Sequence, residues 1–590
     1  MTASQAWSAK DTGKPKSRSI TAIVLAKGDS SQLDRCLKSA APAADQVLVI
    51  DTRRSPETLE TAKSQGAAIV SLKWDGDFSQ LRNRAMEEAT GDWILSLSAD
   101  EWLAEETPEI LRGQIEKPTA AGFLLPVWQE LGRVGSDDCL VRYSLRFFQK
   151  TDGIKYSGIV SESPVESIEA AGGELVPLAT AGIRSSEYIR RAGSPGWDIA
   201  LKTHLLKKQL QETPDDTNLL FHLGLEFFAL GDYLSAEQYL RRCAKALTGN
   251  ERYASAVFSL LAICLRELGL PDKAIQVAAR ALKQGLECVE LVFASAWGHL
   301  AQRDYPMAAR EFRRTLELSS NPPFSMVQDP SITRFRAQMG LALALVESGH
   351  PEKALPHALK AVRGCPNKPE PLVLLGCTHH FMGDRSKALL RFEQALAADP
   401  GHPDALDLCA ALYQEMGLQD KALEMVERSL QRDPKSPRLL ACRADALAAM
   451  GRSEEAQKTL DEALFYGENS SDIQCEAGRI FGILGKQKES IECFEKAIRL
   501  QPSDPSPYFG AADMLYKMGQ YQSSAELYRC ALQVNPSDAE GWASRGNACI
   551  RSGKPKEAIL CWEKALELDP KLESADCNLR MIRQRLARPV

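Results

Sequence analysis

Two aspartates at the ends of apolar segments are the residues of this sequence best suited to chemistry. Asp51 ends the run QVLVID, and Asp100 follows the run WILSLS, with Ser98 two positions before it. Two carboxylates spaced as D-x-D can hold a divalent cation against phosphate oxygens, because hard cations prefer oxygen ligands. Position 98 would hold a carboxylate in such a site, so the sequence predicts that one metal ligand has lost its charge.

Alternating strands and helices must position these aspartates. Short β-branched runs at residues 19–27, 46–52 and 67–72 alternate with segments of helical spacing before the run GDWILSLSAD. This alternation predicts an α/β domain with a parallel sheet and helices on its faces. Ligands bind at the carboxyl ends of such strands, so we expect Asp51 and Asp100 over the same crevice. After residue 118 the pattern predicts mixed or antiparallel strands.

A second architecture follows, built from a 34-residue repeat. Small residues recur at this period, at Ala354, Ala388, Ala422, Ala456, Ser490, Ser524 and Ala558. Prolines recur with the same spacing at another position of the repeat. Both features resemble tetratricopeptide repeats, in which two helices cross at small residues. The step from Ala308 to Ala354 is 46 residues, and we expect the extra 12 to form a loop within 319–331.

The repeats predict an interaction surface. A solenoid of about ten repeats presents a long concave face, on which we expect a protein or peptide to bind. Its periodic residues are used for packing, so it is not expected to do chemistry itself. The alternative is that the array only makes a homodimer or holds the N-terminal domain.

Composition excludes several partner classes. A net charge of -6 gives no reason to expect nucleic acid, and no run is long enough to span a bilayer. Residues 1–18 are polar and basic, which predicts a disordered tail. The fifteen cysteines are scattered without a C-x-x-C pair, so we expect free thiols in a reducing cytoplasm.

The segments VLVIDT and WDGDFSQLRNRAMEEATGDWILSLSADEWL resemble family-2 glycosyltransferases of the GT-A fold, especially bacterial members that carry tetratricopeptide repeats. The resemblance continues to about Tyr188. It implies five parts: a tail at 1–18, a GT-A-like domain at 19–192, a linker helix at 193–217, repeats at 218–570 and a capping helix at 571–590.

The resemblance also implies roles for individual residues. The family binds a nucleotide-sugar donor, with Mn²⁺ or Mg²⁺ neutralising the diphosphate. Its motifs place Asp51 on the nucleotide and Asp100 on the metal, and Glu162 corresponds to the acid of a His-Glu pair. The donor pocket would be lined by Asp77, Arg82 and Asn83. As alternatives, Asp51 and Asp100 cap helices, and Asp77 and Arg82 form a structural ion pair.

The sequence departs from the family pattern at several of these positions. The departures are Ser98 for the first acid of D-x-D, Arg53 and Arg54 after Asp51, Ser161 before Glu162, and Arg184 or Ser185 near the usual position of another histidine. All eight histidines lie at or after His204, so a histidine base cannot come from the N-terminal domain. Arg53 or Arg54 could replace a cation by neutralising phosphate.

Three hypotheses follow from this pattern. The first is a cytoplasmic transferase that moves a sugar from a nucleotide donor onto a protein or peptide held by the repeats. The second is a scaffold whose transferase-like domain has lost catalysis, and the third is a sensor that binds a nucleotide-sugar without turnover.

Overall fold

The computed structural model describes residues 18–26, 30–53, 55–130, 139–186, 197–320 and 322–586. Two compact units are present, Met1–Pro366 and Asn367–Val590. The tail expected at 1–18 lies outside the described residues except for Arg18, and Arg54 lies outside them as well. Within the described residues, no helix is both long enough and apolar enough to cross a bilayer.

The first unit begins with alternating strands and helices. Up to Ser98 they are β1 (Ile20–Ala26), α1 (Ser30–Ala40), β2 (Gln46–Asp51), α2 (Pro56–Ser64), β3 (Ala68–Ser71), α3 (Phe78–Glu88) and β4 (Trp93–Ser98). The later elements of this domain are β5 (Glu101–Leu103), α4 (Thr107–Glu116), β6 (Gly122–Glu130), β7 (Cys139–Gln149), α5 (Val165–Ala170), β8 (Leu175–Pro177) and β9 (Ile183–Ser185).

These strands form one mixed sheet in the order β3-β2-β1-β4-β7-β6-β9-β5. Strands β1 to β4 pair in parallel, whereas β7 pairs antiparallel with both β4 and β6. The predicted α/β domain, with a parallel half followed by mixed strands, is therefore confirmed.

Apolar residues cover both faces of the parallel half. All seven residues of β1 are buried, as expected for a strand covered on both sides. Leu33 and Leu37 of α1 pack on one face, and Leu81 and Ala85 of α3 pack on the other. The helices therefore fix the strands from both sides and hold their carboxyl ends in place.

Most of the described remainder of the first unit consists of helices. They are α6 (Trp197–Glu212), α7 (Thr217–Ala229), α8 (Tyr233–Ala246), α9 (Ala254–Glu267), α10 (Pro271–Lys283), α11 (Val289–Ala301), α12 (Tyr305–Leu318), a π-helix (Ile332–Arg336), α13 (Ala337–Glu347) and α14 (Pro351–Gly364). Leu206 of α6 and Leu219 of α7 share an apolar cluster with Leu140 of β7 and Val160. The first repeats thus pack directly against the sheet domain.

The insertion between repeats is not only a loop. Val327–Gln328 forms β10, which pairs antiparallel with Val141 and Arg142 of β7. The amide of Tyr143 donates to the carbonyl of Met326 at 2.9 Å, and Val327 is buried. We call residues 324–331 the strap. The expectation of a loop missed this two-residue strand, which forms because β7 leaves backbone groups that a distant segment can pair.

In the second unit, the elements described up to residue 586 are all helices. They are α15 (Pro369–Phe381), α16 (Arg385–Ala398), α17 (Pro403–Glu415), α18 (Gln419–Leu430), α19 (Pro437–Ala449), α20 (Ser453–Tyr466), α21 (Ser471–Ile483), α22 (Gln487–Leu500), α23 (Ser506–Lys517), α24 (Tyr521–Val534), α25 (Ala539–Arg551), α26 (Pro555–Leu568) and α27 (Glu573–Leu586). Over the described residues of both units, α7 to α26 form ten helix pairs. Ala575 and Leu579 of α27 pack beside Trp562 of the last pair.

Candidate functional site

The carboxyl ends of β1, β2 and β4 bring the sequence-predicted aspartates to one edge of the sheet. Ala26 pairs with Asp51, and Leu25 pairs with Ser98, so both strands end beside the end of β1. Asp51 and Asp100 are buried there, with 3% and 8% of their surfaces exposed. Asp51 accepts a hydrogen bond from the backbone of Arg53 at 3.0 Å, and neither aspartate is an N-cap of the helices described.

A cavity of about 1010 Å³ opens at this edge. Its walls include Asp100, Arg82 and Glu162 among the sequence-predicted residues. The opposite wall comes from α6, α7 and the segment before α9, and Met326 of the strap also lines it. A cleft of this size at a strand-end crevice can hold a nucleotide-sized ligand.

Arg82 and Glu162 form an ion pair inside this cleft. The Arg82 Nε lies 2.9 Å from Glu162 Oε1, and the side chains are 2% and 13% exposed. Arg82 Nη1 also donates to the Leu97 carbonyl of β4 at 3.0 Å. Burial disfavours the charged form of Arg82, but Glu162 and other anionic neighbours outweigh it and raise the pKa of the guanidinium. The carboxylate expected to act as a base is therefore held by a permanent cation.

Asp77 and Asn83 make structural contacts on α3. Asp77 is the N-cap of the helix, and its Oδ1 accepts from the Ser79 amide at 2.8 Å. Asn83 donates to the Tyr156 carbonyl at 3.0 Å and accepts from the Tyr156 amide at 2.7 Å. The expected ion pair between Asp77 and Arg82 is replaced by the pair with Glu162. Contact of Asp51, Asp77 or Asn83 with a donor stays a prediction.

Glu101, close to Ser98, is held by contacts within the protein. Glu101 pairs with Arg146 at 2.6 Å through one oxygen, and its other oxygen accepts from the Ser98 amide at 2.8 Å. Asp100 is buried in the same corner and lines the cleft. Among the described residues, no group of three or more His, Cys, Asp and Glu side chains could hold a metal. Mg²⁺ is commonly held by one or two carboxylates together with substrate phosphates, so Asp100 is the residue of this corner that would hold such an ion on a bound diphosphate.

Ser161 occupies an unusual conformation in the cleft wall. Its φ is 56°, in the left-handed region that non-glycine residues rarely adopt. Its hydroxyl oxygen is buried and has no hydrogen-bond partner within the described part of the chain. Such strain is most common at ligand-binding positions, which is consistent with the family's expected histidine at this place.

The first repeats supply cleft residues that the sequence did not reveal. His222 of α7 and Lys202 of α6 line the cleft beside Arg142 of β7. Burial lowers the pKa of His222 to about 3, with smaller contributions from the charges of Arg142 and Lys202. The cleft therefore contains a histidine that stays neutral at pH 7, contributed from outside the N-terminal domain. No local motif marks these residues, because only the packing of repeats on the sheet brings them in.

The sequence matches two kinds of family in agreement with this architecture. Residues 21–152 match glycosyl transferase family 2. Tetratricopeptide repeat families match residues 221–286, 293–369, 382–441, 420–474, 478–519 and 539–572.

Individual relatives are described either as repeat proteins or as glycosyltransferases. A TPR repeat-containing protein of Synechococcus elongatus is 28% identical over 48% of this chain and 70% of its own length. The prophage-derived glycosyltransferase SunS of Bacillus subtilis is 24% identical over 39% of this chain and 54% of its own length. An uncharacterized glycosyltransferase of Rickettsia bellii is 33% identical over 15% of this chain and 30% of its own.

Two solved structures share helical architecture with parts of the chain. Yeast Tom70 is 13% identical with a TM-score of 0.40, covering 66% of this chain and 93% of its own. A tetratricopeptide repeat protein of Parabacteroides merdae is 22% identical with a TM-score of 0.36, covering 42% of this chain and 99% of its own. The chain thus joins an α/β domain, whose residues 21–152 match glycosyl transferase family 2, to an array of helix pairs that match tetratricopeptide repeat families.

Proposed function

We propose that the cleft binds a nucleotide-sugar or its nucleoside diphosphate, and that transfer chemistry is weakened. The observation that carries this proposal is the large cleft at the carboxyl ends of β1, β2 and β4, three strands that belong to the segment matching glycosyl transferase family 2. Asp51 lies buried at this edge and serves as the nucleotide contact. Loss of one metal carboxylate at Ser98 and the pairing of Glu162 with Arg82 support the weakened chemistry.

The repeats have a separate role in this proposal. They bind a protein or peptide on their concave surface, in a cytoplasmic and bacterial setting, and where transfer occurs that polypeptide is the acceptor. A homodimer through the repeats is the competing use of the same surface. The fifteen free cysteines support a reducing compartment.

A second candidate is a scaffold without nucleotide binding. It is favoured by one specific observation, that Glu101 and Glu162 are both held in ion pairs inside the cleft. On this account the transferase fold is retained as a rigid support for the first repeats, and no donor binds in the cleft.

Calorimetric titration of the full-length protein distinguishes the two candidates. The probes are uridine and guanosine diphosphates and their sugar conjugates, with and without Mn²⁺. Asp51→Asn is expected to weaken binding at least tenfold, and Asp34→Asn, a surface carboxylate on α1 paired with Lys38, is the matched control. Absence of heat with every probe, by protein shown to be folded, would establish the scaffold and exclude a donor site.

A further inference from the structure

The cleft has basic side chains where a metal would otherwise act. Arg146 lies at the corner of Ser98, Asp100 and Glu101, through its 2.6 Å contact with Glu101. Arg142 is four residues earlier on β7. Both arginines line the cleft. A guanidinium thus already stands beside the incomplete metal ligand set.

Helix α6, which precedes the repeats, adds a third cation. Lys202 of α6 lines the cleft and forms an ion pair with Glu226 of α7, a residue with no exposed surface. The charges of Lys202 and Arg142 both act on His222, so the three side chains share one region. We call Arg142, Arg146 and Lys202 the basic wall.

The acidic residues contributed by the repeats lie at the other end of α6. Lys202 is near the start of this helix and Glu212 is its last residue, ten positions later, which corresponds to about 15 Å. Asp216 and Glu251 line the cleft after α6 and already accept hydrogen bonds from backbone amides of their own loops. The repeat-built wall is therefore basic at one end and acidic at the other.

We propose that the basic wall holds the diphosphate of the bound donor in place of a divalent cation. This inference rests on the proposed function and adds a metal-independent mode of recognition to it. Guanidinium groups bind phosphate oxygens through two parallel hydrogen bonds, and these are stronger than neutral ones. Glu101 and Glu226 hold two of the cations in position before the ligand arrives.

The neutral ring of His222 is consistent with this arrangement. It can accept or donate a hydrogen bond beside the phosphate without adding a charge that would depend on pH. In this arrangement the basic wall supplies the positive charge that the diphosphate requires. The metal-binding role that the family pattern implies for Asp100 is therefore not needed for donor binding.

The test is titration of the full-length protein with uridine diphosphate, guanosine diphosphate and inorganic pyrophosphate, each in EDTA and in Mn²⁺. We expect at least one nucleotide to bind with a Kd in EDTA within threefold of its value in Mn²⁺. Arg142→Gln is expected to weaken this binding tenfold or more, and Arg142→Lys is expected to weaken it less, because lysine keeps the charge but not the two parallel hydrogen bonds. Arg84→Gln, on the exposed face of α3, is the control.

Two further results separate the alternatives. Because Glu226 is buried, Lys202 is tested in the double variant Lys202→Gln/Glu226→Gln, which removes both charges together and is also expected to weaken binding. Binding that requires Mn²⁺ and is lost in Asp100→Asn would overturn the basic wall and leave the proposed function standing. Tight binding in EDTA that Arg142→Gln does not change would overturn the assignment of Arg142. No binding of any probe would overturn the proposed function itself.

Discussion

Arg82 and Glu162 are 80 residues apart in sequence and meet inside the cleft. Arg82 is almost fully buried, so its charge depends on this carboxylate and on the backbone carbonyls of β1 and β4. Removing one partner of a buried ion pair leaves an uncompensated charge and costs about 3–5 kcal/mol. The pair therefore stabilises the cleft wall while it occupies the candidate base.

Arg82→Met is expected to destabilise the first unit by about 3 kcal/mol, because Glu162 then loses its main partner. Arg84→Met on the same helix removes only an exposed pair with Glu87 and is expected to change stability by less than about 1 kcal/mol. Differential scanning calorimetry of the full-length protein measures both. Equal effects of the two substitutions would show that the buried pair is not important for stability.

Glu290 is a titratable residue that contacts the strap. Its carboxylate is buried and accepts a hydrogen bond from the Asp329 amide at 3.2 Å. Burial raises the pKa of Glu290 from 4.5 to about 7, although backbone hydrogen bonds oppose this shift. The unfolded chain releases this proton near pH 4.5, before the folded chain does, so the free energy of unfolding falls as pH rises from 4.5 to about 7.

We expect the free energy of unfolding to fall by ~3 kcal/mol across that pH window because of Glu290, which is the order of magnitude that its pKa shift implies. Glu290→Gln keeps an acceptor for the Asp329 amide but has no titratable group, so the stability of this variant should vary less with pH. Glu287→Gln, whose carboxylate is in a partly exposed pair with Arg314, serves as control. The measurement is the unfolding midpoint of each protein at pH 5 and at pH 7.5. The same change in midpoint for wild type and Glu290→Gln would contradict the role of Glu290.

At the scale of elements, the strap joins the repeats to the transferase sheet. Val327 is buried, and its strand pairs with β7 next to Arg142. Val327→Asp places a charge there without compensation, so we expect the strap to detach and the Tyr143 amide to exchange its hydrogen faster. Val534→Asp, at the exposed end of α24, is the matched control. Hydrogen exchange read by mass spectrometry is the measurement, and unchanged protection of β7 would contradict the role of the strap.

Helix crossing in the repeats depends on small residues. A Cβ on Gly376 would lie 2.4 Å from a ring carbon of Phe392 in the same repeat. We expect Gly376→Ala to destabilise the second unit by about 1–3 kcal/mol, through overpacking. Gly113→Ala in α4 meets no neighbouring atom and should be neutral or stabilising by about 1 kcal/mol. Calorimetry of the two variants gives the comparison.

The sequence predicted these elements to different extents. The repeats and the parallel strands were predictable because both depend on local periodicity, of 34 residues in one case and of alternating apolar runs in the other. The strand ends also placed Asp51 and Asp100 at one edge. The partner of Arg82, the strap and the approach of His222 depend on packing between residues far apart in sequence, which periodicity does not encode.

At the scale of the whole molecule, the transferase domain and the first four helix pairs belong to one compact unit. The cleft is walled by both, so a donor bound there also contacts the repeats. An isolated transferase fragment would lack Lys202, His222 and strand β10. Experiments on donor binding therefore require the full chain.

Hydrogen exchange of the full-length protein, with and without a saturating nucleoside diphosphate, tests the central claim most directly. Donor binding in the cleft predicts slower exchange at the ends of β2 and β4, in β7 and at the start of α6, with no change after residue 367. Protection confined to the repeats, or no protection by either uridine or guanosine diphosphate, would contradict a donor-binding cleft.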